Sequence, residues 1–195
     1  MLMSSSLPLS FFEQSSVDVA RGLLGMRLVR CLDGQRVGGV IVEAEAYEGE
    51  EDLACHASHG RTARTAVMYG RPGRAYVYFT YGMHWLLNVV CRPENQPAAV
   101  LIRAIEPLEG LDQIAAHRKG RPPVEWTNGP AKICQALAID GRFNGAELSA
   151  IDSELWIERG ENIPDDQVIQ TPRIGIDSVP DPWLSIPWRF VVRPD

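Results

Sequence analysis

The chain has 195 residues, enough for one domain whose core needs no disulfide staples. Its 45% hydrophobic and 23% charged composition is that of a globular protein, and 17 Gly with 14 Pro favour many turns over long helices. The formal charge of −6 argues, as a sum, against a polyanionic partner, and no run approaches the roughly 18 uncharged apolar residues of a membrane span.

Residues 1–14 read as a flexible terminus without the basic residues of a secretory signal, which leaves 15–195 as a single domain and the cytoplasm as the expected compartment. Ser16 to Gly25 has a serine cap, an early Asp and a terminal Gly, and so predicts a short helix. Met26–Cys31 alternates apolar and basic residues; Asp33-Gly34 then turns the chain into a second strand, Arg36–Ala46. Arg74–Thr80 and His84–Cys91, rich in β-branched and aromatic residues, predict a hairpin with Tyr81-Gly82-Met83 at its tip. Ala98–Ala104 reads as a buried strand. Leu108–Arg118 and Pro130–Ala138 read as helices, the second with Asn128-Gly129-Pro130 as a cap and first-turn proline. Prolines at 164, 172, 180, 182 and 187 predict mostly loop with short strands over 159–187, and Trp188–Val192 reads as a closing strand. The fold class is α+β, a single compact mixed domain. Cys31, Cys55, Cys91 and Cys134 lie far apart with no C-x-x-C, which indicates mostly buried thiols rather than a disulfide framework or zinc cluster.

Charge is unevenly distributed. Residues 43–59 hold six acidic groups and no Lys or Arg, 60–103 hold six Arg against Glu94, and 144–181 hold nine acidic groups against two basic ones. The Arg-rich stretch also contains Tyr69, Tyr76, Tyr78, Tyr81 and Trp85. Cations interleaved with aromatic rings suit phosphates and stacked bases, although a solvated face beside a β-core has the same composition.

In a strand, Glu43, Glu45 and Tyr47 share one face and Ala44 and Ala46 the other. A carboxylate so presented can act as a base toward water, or it can belong to a solvated acidic edge. Glu45, His56 and His59 form an alternative metal-ligand set, though His-x-x-His is not the i, i+4 spacing of one helix face. In the hairpin, Tyr76, Tyr78 and Thr80 share a face while Tyr81 and Met83 stand at the tip. An exposed tip aromatic is costly unless it meets a partner, such as the gap in a base stack. Asn88 lies within an apolar strand and needs a partner, either a ligand edge or the backbone.

Four blocks, Val42-Glu43-Ala44-Glu45-Ala46-Tyr47 with His56, Tyr76 to Met83 with Asn88, Leu101 to Pro107, and Asn128 to Leu137, occur in an order that resembles the alkyladenine (3-methyladenine) DNA glycosylase family. The resemblance implies a curved antiparallel sheet flanked by helices with a protruding hairpin around Tyr81. It implies excision of alkylated or deaminated purines from double-stranded DNA by base flipping. Glu45 matches the carboxylate that deprotonates the attacking water, and Arg103 the residue that helps hold that water and carboxylate. Tyr47, His56 and Tyr78 match the residues around the flipped base, and Asn88 the pocket amide. Tyr81 matches the residue that fills the vacated space, with Met83 beside it, and Lys132 is expected to contact backbone or phosphate. The only lysines are Lys119 and Lys132, so simple hydrolysis is expected rather than Schiff-base lyase chemistry. No metal or organic cofactor and no membrane are expected, and the protein is expected to act as a monomer. The rival readings are a catalytically silent damaged-DNA binder and a metal-dependent hydrolase.

Overall fold

A computed structural model describes residues 5–151 and 153–194. The predicted first hairpin is present as β1 (Arg27–Leu32) and β2 (Gln35–Tyr47), turned at Asp33 and Gly34 with φ of +49° and +77°. The second hairpin consists of β3 (Ala75–Thr80) and β4 (His84–Cys91), followed by β5 (Ala98–Glu109), β6 (Leu155–Glu158), β7 (Val168–Thr171) and β8 (Arg189–Val192). Together they make one eight-stranded sheet whose main path runs β3-β4-β5-β2-β1-β6, with every pairing antiparallel. β7 and β8 attach beside β2.

β2 organises the sheet. Its first half, Gln35–Val40, pairs with β1, whereas Glu43–Glu45 pair on that side with β8, and β5 follows the other edge from Gly38 to Tyr47. The register with β5 shifts between Ile41 and Ala44, and such bulges bend a strand and increase its twist. Gly38 and Gly39 permit the close approach on either side of the first half. A Cβ on Gly38 would sit 2.1 Å from the Leu28 carbonyl oxygen, and one on Gly39 would sit 2.0 Å from that of Glu106.

Four α-helices, α1 (Leu9–Phe12), α2 (Ser16–Leu23), α3 (Leu111–His117) and α4 (Pro130–Ala136), and five short 3-10 turns complete the described fold. The main core joins Val19 and Leu23 of α2 and Ile133 of α4 to Leu28, Ile41, Leu87 and Ile102 of the sheet. Because neighbouring strand residues face opposite ways, Tyr76, Val90 and Ala99 leave that core and form a second cluster with Cys55, Met68 and Tyr69, edged by Tyr47 and Tyr78. This second face carries the candidate site.

Several local expectations need correction. Residues 5–14 are not a loose end: Leu7 and Phe12 are buried in the core. The α2 cap is Ser15, whose hydroxyl accepts from the Asp18 amide, while Ser16 donates from its amide and hydroxyl to Glu48. The expected helix start at Leu108 is strand, since β5 continues through Pro107 to Glu109. Pro107 is tolerated there because β4 pairs with β5 only as far as Leu101, leaving that edge of β5 without a strand partner among the described residues. Asn128 does not cap α4; its side chain accepts from Lys132 instead. The strand β6 was not foreseen from sequence. Three of the four free cysteines are buried, and Cys31 is half-buried.

Candidate active site

Glu45 lies where β2 is flanked on both sides, opposite Leu101 of β5 and Arg189 of β8. The residue is completely buried, so its carboxylate must be satisfied from within. Oε2 accepts from the Tyr47 hydroxyl at 2.8 Å and from Arg103 Nη1 at 3.3 Å, and Oε1 accepts from the Ile174 amide at 2.7 Å. Arg103 also donates from Nε to Glu43 Oε1 at 2.8 Å, and Arg189 reaches the same oxygen at 2.6 Å. Burial works against the charge on Arg103, but Glu45 and then Glu43 outweigh it and raise its pKa above the ordinary value. Burial, reinforced by Glu45, pushes the Tyr47 phenol well above its ordinary pKa, so its hydroxyl remains a donor.

In front of this cluster is a cavity of about 470 Å³, a size typical of small-molecule sites. Tyr47, His56, Tyr78, Asn88, Arg103 and Ile174 all contribute to its lining, as do Tyr81 and Lys132. All three donors to Glu45 therefore face the cavity, with the carboxylate immediately behind them. The Asn88 Nδ2 donates to the Tyr76 carbonyl at 3.1 Å across the hairpin, whereas its Oδ1 has no hydrogen-bond partner among the described residues. The ring of His56 meets Tyr78 edge-on at 4.6 Å, and its Nδ1 lies 2.9 Å from the Tyr76 hydroxyl.

Burial, together with the positive charge of Arg64, lowers the His56 pKa to about 4. The folded protein thus holds His56 neutral through a range in which the unfolded chain binds a proton. Stability linked to this group should be fully present above about pH 6.5 and fall as the pH drops toward 4. His56→Gln should flatten that part of a urea-midpoint against pH curve, and an unchanged slope would show that His56 does not contribute to it.

The hairpin tip is built on two consecutive left-handed residues, Tyr81 at φ +51° and Gly82 at +67°. Such a turn matches the twist of the paired strands, but Tyr81 has a side chain where the conformation favours Gly or Asn, at a cost of roughly 1–2 kcal/mol. Its side chain is 83% exposed, and Met83 is 68% exposed. Met83 stands outside the cavity; the other eight predicted site residues surround it or lie directly behind it.

Asp52, Arg173 and Ile174 also belong to the site, although sequence reasoning did not select them. Asp52 looked like one more member of an acidic run, and Arg173 lies in a proline-broken stretch without periodicity. The available signal was that Arg173 is one of only two cations in the strongly acidic segment 144–181. Among the described residues no three His, Cys, Asp or Glu side chains converge as a metal-ligand set, and His59 is exposed with Nδ1 3.0 Å from Ser58 Oγ. The Arg-rich stretch also divides. Arg74 donates to the Gly145 carbonyl, Arg92 pairs with Glu48 and Arg103 with the two carboxylates. Arg61, Arg64 and Arg71 are exposed, and the first two lie over the rings of Tyr69 and Tyr78.

A carboxylate held dry behind a cavity lined with aromatic rings suits a hydrolase whose leaving group is a flat heterocycle. Residues 10–195 match the family described as methylpurine-DNA glycosylase (MPG), and the chain belongs to that family. A protein of Methanocella arvoryzae named "Putative 3-methyladenine DNA glycosylase" is 48% identical over 94% of this chain and 90% of its own length. Proteins with the same name from Carboxydothermus hydrogenoformans and Bacillus cereus are 44% identical over 96% of this chain and 95% of theirs, and 41% identical over 94% and 93%. The chain is a DNA glycosylase, a hydrolase of N-glycosyl bonds in base excision repair. No helix among the described residues is long and apolar enough to cross a membrane.

Proposed function

We propose that the protein is a monofunctional glycosylase that flips alkylated or deaminated purines out of duplex DNA into the cavity and hydrolyses the N-glycosidic bond. The substrates belong to the 3-methyladenine, 7-methylguanine, hypoxanthine and ethenoadenine class. The observation that carries this reading is the position of Glu45, buried behind an aromatic-lined cavity with the exposed Tyr81 at its edge.

Glu45 accepts the proton of a water that attacks the sugar C1′, the bond from C1′ to the purine nitrogen breaks, and an abasic site remains. A carboxylate offers about four acceptor sites, and three are occupied by protein donors, which leaves one acceptor site for the water. As positive charge develops on the sugar, the same carboxylate stabilises it. Arg103 holds Glu45 in place by also gripping Glu43. The extruded purine packs among Tyr47, His56 and Tyr78, with Asn88 Oδ1 open to its edge. A purine made cationic by alkylation leaves with little help, whereas a neutral lesion such as hypoxanthine needs protonation on departure. Tyr81 fills the vacated space with Met83 beside it, and Lys132 meets the DNA backbone at the rim. The enzyme works without a cofactor, as a monomer, in the cytoplasm or nucleoid where its DNA lies.

Incubation with duplexes carrying hypoxanthine, 1,N6-ethenoadenine or alkylated purines, followed by alkali, should produce strand breaks at the lesion. Intact strands for every lesion would sink the proposal. Tyr81→Ser should weaken extrusion, read as reduced emission from a fluorescent base, while leaving thermal stability near that of the parent, because the ring is exposed and serine keeps the same left-handed backbone strain. A neutral effect on extrusion would remove Tyr81 from the wedge role.

A further inference from the structure

Behind the cavity, Arg173 and Asp52 form an ion pair with both side chains at 0% exposure. Nη1 reaches Asp52 Oδ2 at 2.5 Å and Nη2 reaches Oδ1 at 2.9 Å, the two-pronged geometry that arginine provides and lysine does not. The guanidinium also donates to the carbonyls of Ala46 at 2.9 Å and Trp183 at 3.2 Å, and lies over the rings of Tyr47 and Trp188. Ala46 separates Glu45 from Tyr47, and Ile174 follows Arg173. The ion pair therefore fixes the 173–174 backbone against the strand segment that carries the carboxylate, and from there the Ile174 amide donates to Glu45 Oε1 at 2.7 Å.

A buried ion pair is weak evidence of a stabilising purpose, because packed apolar residues often serve as well or better. What it supplies here is position. Segment 173–176 contains no regular secondary structure, so no helix or sheet ladder would otherwise hold the Ile174 amide against the carboxylate. Each of the other two donors approaches the opposite oxygen, Oε2. Among the described residues the Ile174 amide alone fixes Oε1, and with it the rotation of the carboxylate plane.

We infer that Asp52 and Arg173 are positioning residues for hydrolysis, aligning Glu45 through the Ile174 amide without contacting DNA. This rests on Glu45 being the base proposed above. Arg173→Lys keeps the charge but removes the two-pronged grip. It should lower the single-turnover excision rate by roughly 10-fold to 100-fold, the scale of an ångström-sized misplacement of a reacting group, while affinity for the same lesion duplex stays that of the parent. Ile174→Pro removes the amide donor while keeping both members of the ion pair in the sequence; it should lose a similar factor in rate, and the double variant should lose little more. Unchanged rates in both single variants, with Glu45→Gln inactive, would overturn the positioning role and leave the base assignment standing. Full activity in Glu45→Gln would overturn both. A rate loss in Arg173→Lys matched by an equal loss of lesion affinity would also overturn it, since that pattern reports a damaged pocket rather than a misaligned base. If Arg173→Lys is not folded by circular dichroism, Ile174→Pro decides by the same split between rate and affinity.

Discussion

Glu45→Gln should reduce single-turnover excision by about 10²-fold to 10⁴-fold, the usual range for loss of a general base, while the lesion duplex is still bound. The side chains are nearly equal in volume, so the cavity keeps its shape. Their hydrogen bonding differs. Every partner of Glu45 is a donor: the Tyr47 hydroxyl, the Arg103 guanidinium and the Ile174 amide. A glutamine must direct its own NH₂ group toward one of these oxygen positions. Facing Tyr47 and Arg103, it is partly relieved if the hydroxyl turns to accept, but the guanidinium cannot accept. The cost is about 1–3 kcal/mol of stability for an unsatisfied buried group, observable as a lower unfolding midpoint. Rate and stability thus change together in the same variant, but by separate causes. Retention of the parent excision rate by a folded Glu45→Gln protein would remove Glu45 as the base.

The parts of the site legible in sequence are those held by regular local geometry. Alternation along β2 placed Glu43, Glu45 and Tyr47 together, and Arg103 joins the two carboxylates. Alternation along β3 placed Tyr76, Tyr78 and Thr80 on the cavity side, where all three line it. The hairpin tip was legible because two strong strands are separated by three residues. The illegible parts depend on partners distant in sequence. The Asp52 and Arg173 pair spans 121 positions, and a carboxylate in an acidic run carries no mark that distinguishes it from its neighbours. Helix starts failed where tertiary pairing overrode local signals: Glu106-Pro107 looked like a helix entrance, but β2 holds it in the sheet by pairing Gly39 with Pro107.

The net charge of −6 likewise concealed several local situations. Within the Arg-rich stretch, Arg74, Arg92 and Arg103 are committed to the protein's own acceptors. The exposed Arg61, Arg64 and Arg71 are the members of that group left to meet a phosphate backbone, which supports modest, salt-sensitive DNA affinity. Segment 43–59 also changes character on folding. Glu43 and Glu45 take Arg103, Glu48 takes Arg92, and Asp52 takes Arg173, so much of its negative charge is compensated internally and does not face a polyanion.

Asp52→Ala should be the most destabilising single change at the site. It leaves the Arg173 guanidinium buried without its counter-ion, a situation that costs about 3–5 kcal/mol, or roughly 6–20 °C in Tm for a chain of this length. Asp52 further accepts from the amides of Glu48 at 3.1 Å and Ala54 at 3.0 Å, so the loop after β2 loses its anchor in the same substitution. Asp52→Asn should cost less, because one amide oxygen remains to accept. The double variant Asp52→Ala/Arg173→Met should recover part of the loss, since removing the second charge removes the uncompensated one. Calorimetric or denaturant unfolding of the four proteins checks this order. A double variant less stable than Asp52→Ala would mean that Arg173 is held chiefly by its carbonyls and by the rings of Tyr47 and Trp188. The guanidinium would then anchor the 173–174 segment without Asp52, and Asp52→Ala would spare the excision rate that Arg173→Lys lowers.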